Sequence, residues 1–272
     1  MSSVRLQKWL AERGLGSRRE MEEWIRQGRV TVDGEVAGIG RCISGSESIE
    51  VDSRRANLPT APARLRVIAY YKPEGQVCTR HDPEGRATVF EHLPRLSDGR
   101  WIAVGRLDVN TQGLLLLTTD GELANRLMHP RYGMEREYAV RILGPVDATM
   151  IERLKEGVPL DGRPARFDAL CDAGGEGANH WYHAVIREGR RREVRRLWES
   201  QGVRVSRLVR VRFGAVNLRR GLRAGRWEEV VGANLDALLT AVDLSAQPAR
   251  DSGVRSPTRR PGRRRRVPPR RR

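Results

Sequence analysis

Apolar positions in the first fifty residues repeat with helical spacing twice. Leu6, Trp9 and Leu10 fall at i, i+3 and i+4, and Gly14 stands where that helix should stop. Ser17-Arg18-Arg19-Glu20 has the spacing of a capping box, with Ser17 as N-cap and Glu20 at the third helical position. Met21, Trp24 and Ile25 give the second helix its apolar stripe, and Gly28 ends it. Val30-Thr31-Val32 then reads as a strand running into a tight turn at Asp33-Gly34.

Residues 53–64 carry Pro and Ala without periodicity and read as a linker. Strand patterns follow at 67–71, 101–104, 114–117, 138–140 and 181–186, and short helices at 121–128, 147–154 and 194–201. Strands outnumber helices and do not alternate with them regularly, so the fold class is α+β rather than a doubly wound sheet. The pattern divides the chain into a small unit at 1–52, the linker 53–64, a large domain at 65–244 and a tail at 245–272. That tail is Pro, Ser, Gly and Arg, which bury too little to offset ordering entropy, so it should be disordered when free.

Charge sharpens the picture. The 272 residues carry a formal net charge of +17, and eleven arginines lie between Arg250 and Arg272. The rest of the chain is basic too, which points to a polyanion, nucleic acid before membrane, because no strongly amphipathic basic helix is present. The longest uncharged apolar run, Gly113–Leu117, is far too short for a membrane span, and Arg5, Lys8 and Trp9 interrupt any secretory signal. A soluble, cytoplasmic protein is expected. Its three cysteines (Cys42, Cys78 and Cys171) have no metal-ligand or disulfide spacing.

No phosphate-binding GxxxxGK[ST] loop and no GxSxG elbow occurs. Gly174-Gly175-Glu176-Gly177 precedes a strand and reads as a hairpin connection. His180 and His183 should point to opposite faces of that strand, which argues against a metal site. The informative stretch is Val104–Gly113, a polar loop between two apolar strands whose single carboxylate is Asp108. By pattern alone Asp108 either closes a turn or does chemistry. Arg5, Lys8, Arg18, Arg19, Arg26 and Arg29 surround the two N-terminal helices, as a solvated face or as phosphate contacts.

Two resemblances decide between these readings. The first fifty residues, with Arg5-Leu6-Gln7-Lys8-Trp9-Leu10 and Gly28–Gly34, resemble an S4 RNA-binding domain. Gly105-Arg106-Leu107-Asp108, Thr111, Gly113–Thr118 and Asp120-Gly121 match the signature of the pseudouridine synthases that modify small- and large-subunit ribosomal RNA. The resemblance implies a mixed, mainly antiparallel catalytic sheet and Asp108 as nucleophile. It also implies Tyr138 against the target base, Arg195 (or Arg196) paired with the aspartate, Leu208 in the pocket floor and Arg106 beside the flipped base. It assigns Arg5, Lys8, Arg18, Arg19 and Arg29 to RNA, and implies neither metal nor cofactor. Tyr70–Gly75, Cys78–Arg86 and Trp101–Asp108 resemble the large-subunit branch, which implies one uridine of 23S rRNA, free or in an assembly intermediate. A 16S rRNA synthase is the alternative, and a non-catalytic RNA-binding or assembly protein the next. A methyltransferase is disfavoured by the missing strand–Gly-rich loop–helix site.

Overall fold

A computed structural model describes residues 3–55, 64–176 and 179–245. Most of the expected linker, Gly177 and the Arg-rich tail after 245 lie outside the described residues. The N-terminal unit begins with β1 (Val4–Arg5), α1 (Leu6–Glu12) and α2 (Arg18–Arg26). The Ser17 side chain accepts from the Glu20 amide and the Glu20 carboxylate from the Ser17 amide, so the expected capping box forms. Next come β2 (Val30–Val32), β3 (Glu35–Val36), β4 (Cys42–Ile43), β5 (Ile49–Val51) and β6 (Arg54–Arg55). Asp33 and Gly34 both have positive φ, 51° and 85°, the backbone a two-residue hairpin turn needs between β2 and β3. Leu6, Leu10, Met21, Ile25, Val30, Val32, Ile43 and Ile49 form one small core, as the two helical stripes required.

The large domain contributes β7 (Val67–Lys72), β8 (Ile102–Ala103), β9 (Gln112–Thr118), α3 (Gly121–Met128), β10 (Arg136–Leu143) and α4 (Ala148–Glu156). A short hairpin of β11 (Val158–Leu160) and β12 (Arg163–Ala165) leads to β13 (Ala169–Glu176), β14 (Asn179–Ile186) and α5 (Glu193–Glu199). The ten-residue β15 (Arg204–Phe213), β16 (Val216–Asn217), β17 (Trp227–Glu229) and α6 (Ala233–Thr240) complete the domain. Nine of these strands form one sheet of order β13-β14-β10-β15-β9-β7-β17, with β8 and β16 attached to β9 and β15. All its pairs are antiparallel except β9 with β15, so the sheet is mixed and mainly antiparallel, as expected.

The uninterrupted leucines of β9 are explained by burial on both faces. Leu114 and Leu116 pack with α3 and α6, whereas Leu115 and Leu117 join the core that holds α4 and α5. The apolar pattern does not mark β11, β12, β13, β15, β16, β17 or α6. In β15, arginines at 204, 207, 210 and 212 interrupt the apolar positions and two register shifts break the alternation. Helix α6 has no side-chain N-cap bond to mark its start. Of these, β15 is the strand that pairs with the start of β9, and it therefore borders the Asp108 loop.

Candidate active site

The loop from Leu107 to Thr111 is held through its backbone carbonyls. The Thr111 amide donates to the Asp108 carbonyl (3.0 Å), and the Gly75 amide to the Val109 carbonyl (2.8 Å). Arg195 Nη2 donates to the Asn110 carbonyl (2.7 Å), and Lys72 Nζ to the Thr111 carbonyl (2.9 Å). Below the loop, the Leu107 amide and carbonyl both contact the Cys78 thiol, at 3.4 and 3.5 Å. Four successive carbonyls thus have donors, two of them from buried cations. A loop so held presents the half-buried Asp108 side chain on a rigid frame.

The register of the sheet explains where those cations come from. Lys72 of β7 faces Gly113 of β9, Gly113 faces Arg210 of β15, and Arg210 faces Tyr138 of β10. One row across the sheet therefore runs cation, glycine, cation, tyrosine. Gly113 has φ of 106°, and a Cβ there would stand 2.3 Å from the Arg210 carbonyl oxygen, so only glycine lets β9 and β15 meet at this level. Lys72 is fully buried, and its ammonium also reaches the Pro73 carbonyl at 3.0 Å. Burial pushes the Lys72 pKa down, while the nearby charges of Cys78, Asp108 and Glu74 oppose that shift. Arg195 behaves alike: burial and then the like charge of Arg192 lower its pKa, and Asp108 is the first group that raises it.

Asp108, Arg106, Tyr138 and Leu208 all line one cavity of about 1110 Å³. The fold thus brings these four sequence-based candidates to one cavity. Arg195 departs from its expected contact. Its guanidinium lies under the loop, donating to the Asn110 and Val205 carbonyls, and does not hydrogen-bond the Asp108 carboxylate. The alternative, Arg196, makes a two-point pair with exposed Asp161 at 2.8 and 2.6 Å and faces away. Arginine acts here on the backbone that carries Asp108.

Further residues on the cavity wall escape a reading of the sequence. Arg136 stacks over Phe213 and donates to the Met134, Arg187 and Glu188 carbonyls, tying β10 to the loop before α5. Glu193, 4% exposed, accepts from the Arg190 amide, and burial raises its pKa. Arg210 is 2% exposed, its Nε donates to the Leu114 carbonyl at 2.7 Å, and its buried Nη2 has no partner among the described residues. A lysine closing an otherwise apolar strand, and an arginine at the alternating position of β15, are the signals that mark Lys72 and Arg210.

On the N-terminal unit, Arg5, Arg18 and Arg19 are exposed. Lys8 lies 3.7 Å from Glu12. Arg29 is committed within the unit, with a two-point pair to Asp52 at 2.8 and 2.6 Å and its guanidinium over Trp24. The described helices include none long and apolar enough to cross a membrane.

Comparison with known proteins agrees with this geometry. The RNA pseudouridylate synthase family model matches residues 66–200, and the S4 domain model residues 4–41. Ribosomal large subunit pseudouridine synthase B of Pseudomonas aeruginosa is 58% identical over 88% of this chain, which spans 63% of that protein's length. The proteins of the same name from Pasteurella multocida and Salmonella typhi are 54% and 51% identical, over 94% and 95% of this chain and 75% and 90% of their own lengths. A crystal structure of a pseudouridylate synthase superposes with a TM-score of 0.61 at 28% identity, covering 87% of this chain and 100% of that one. With Asp108 on its braced loop, the row beneath it and an S4 unit in front, the chain belongs to the RNA pseudouridylate synthase family.

Proposed function

We propose that this protein isomerises a uridine of 23S rRNA to pseudouridine, with Asp108 as the nucleophile. The observation that carries this reading is Asp108 presented into the cavity on a loop whose four carbonyls are all held. A stacked uridine has to leave its helix to reach that carboxylate, at a cost of about a few kcal/mol. Tyr138 on the cavity wall offers a stacking face, a contact that contributes about 1–3 kcal/mol per base. Asp108 attacks as a carboxylate, and the buried cations Lys72 and Arg195 place positive charge beneath the loop that carries it. Arg195 and Lys72 are positioning residues, acting through the loop backbone. Arg106, exposed at the cavity mouth, is suited to contact RNA beside the flipped base.

The large-subunit substrate is favoured by the names of the relatives and by the basic S4 unit that precedes the catalytic domain. Arg5, Arg18 and Arg19 are the exposed phosphate contacts of that unit, with Lys8 at their edge. The Arg-rich tail adds affinity without touching the chemistry. The partner is 23S rRNA, free or in a large-subunit precursor, and the place of work is the cytoplasm. Isomerisation replaces the C5–H bond of uracil by a C5–C1′ bond, so RNA labelled with tritium at C5 should lose label with this enzyme. Asp108→Asn should abolish the release. Release that persisted in the variant would remove Asp108 from the mechanism.

A further inference from the structure

Breaking the N1–C1′ bond leaves its electron pair on the uracil, and the resulting negative charge spreads onto the two carbonyl oxygens. A donor already in place, in a site shielded from water, stabilises such charge most. Eight arginines line the cavity; Arg106, Arg163 and Arg191 are exposed to solvent, Arg192 pairs with Glu199, and three more hold partners. Arg136 holds three carbonyls, Arg190 is tied to Glu188 and the Pro164 carbonyl, and Arg187 pairs with Glu135. Arg195 lies outside the cavity lining and uses its terminal nitrogens on the Asn110 carbonyl of the loop and the Val205 carbonyl of β15. Arg210 differs in its burial: it lines the cavity, is 2% exposed, and its buried Nη2 has no partner among the described residues. Arg190, which also has an unpartnered Nη1, has a 28% exposed side chain and is held by Glu188 and the Pro164 carbonyl. Its position is fixed by Nε on the Leu114 carbonyl and by its cross-strand neighbour Tyr138, whose ring is the proposed stacking face.

Resting on the pseudouridine reading, we propose that Arg210 is a catalytic residue whose guanidinium, bonded only through Nε among the described residues, donates from its terminal nitrogens to a uracil carbonyl oxygen and stabilises the detached base as an anion. In this sequence the N1–C1′ pair goes to the base while C1′ bonds to an Asp108 oxygen. The base turns on the Tyr138 face, held by Arg210. C5 then gives a pair to C1′, the Asp108–C1′ pair returns to the carboxylate, and the C5 proton is lost as N1 gains one. No oxidant or further reactant is needed. Gly113 serves the same end, since a side chain there would displace the Arg210 backbone.

The test compares Arg210→Gln with wild type on RNA bearing uridine or 5-fluorouridine at the target. Fluorine makes the departing base a more stable anion, so removing a stabilising donor matters less. Single-turnover consumption of uridine should fall about 10²–10³-fold at saturating protein. RNA affinity should stay near wild type, and the defect should shrink with 5-fluorouridine. A defect equal on both substrates would reduce Arg210 to a structural role, and no defect would overturn the proposal outright. If Arg210→Gln does not fold, Arg210→Lys, which keeps a charge but loses the fork, carries the same comparison. A wild-type enzyme that released no C5 tritium would instead overturn the isomerase reading itself.

Discussion

Replacing Lys72 by Met isolates the bracing of the Asp108 loop. The side chain is fully buried and its ammonium reaches the carbonyls of Pro73 (3.0 Å), Thr111 (2.9 Å) and Val109 (3.4 Å). Met fills nearly the same volume and keeps the apolar stem, so no large cavity opens. Hydrogen bonds to a charged donor contribute about 1.5–3 kcal/mol each. Against this, the variant no longer buries an ammonium, which costs several kcal/mol by itself. The two nearly cancel, and a net destabilisation of about 1–3 kcal/mol is expected, read as a lower urea midpoint. Activity should suffer more. The Thr111 carbonyl loses its donor, and a shift of the loop by about 1 Å costs on the order of 10²-fold in rate. Single-turnover tritium release at saturating protein, at a temperature where the variant is fully folded, measures that loss directly. A folded Lys72→Met enzyme with a rate within about threefold of wild type would mean that the ammonium does not position Asp108.

The remaining predictions concern the neighbouring residues and the tail. Burial raises the Glu193 pKa above its ordinary 4.5, so its contribution to stability is complete below that value and is lost as pH rises through the raised one. Glu193→Gln should therefore flatten the stability–pH curve over that window, as read by urea titration at pH about 4.5 and 7.5; an unchanged slope would contradict the assignment. Gly113→Ala, with φ of 106° and a Cβ 2.3 Å from the Arg210 carbonyl oxygen, has to push β9 and β15 apart. It should cost about 3–5 kcal/mol by urea titration, and a loss under about 1 kcal/mol would contradict the close approach. Deleting Arg250–Arg272 should weaken RNA binding and lower its salt slope by about 0.7–0.9 for each phosphate that the tail had neutralised. Its single-turnover rate at saturating protein should be unchanged.

What the sequence reveals and what it withholds follow from the range of the interactions. The N-terminal helices are legible because α2 is set by local chemistry, the Ser17–Glu20 box and the stripe of Met21 and Ile25. The Asp108 loop stands out because two apolar strands flank it, and Gly121–Met128 because Asp120 caps its first turn. The floor of the site is hidden because it depends on register. Lys72, Gly113, Arg210 and Tyr138 lie far apart in sequence and meet only when β7, β9, β15 and β10 align. β15 itself is masked by the arginines it carries into that floor. The partner of Arg195 differs from expectation for a related reason: spacing identifies an arginine near the carboxylate, but not whether it holds the carboxylate or the backbone beneath it.

The central claim, Asp108-dependent pseudouridine formation in large-subunit RNA, is tested most directly by site-resolved pseudouridine mapping. 23S and 16S rRNA transcripts and their precursor particles would be treated with wild type and with Asp108→Asn. One new pseudouridine in 23S rRNA, present with wild type and absent with the variant, is the expected result. The same signal in 16S rRNA would keep the chemistry and overturn the substrate. Silence in every RNA would contradict the enzyme reading and leave an RNA-binding protein.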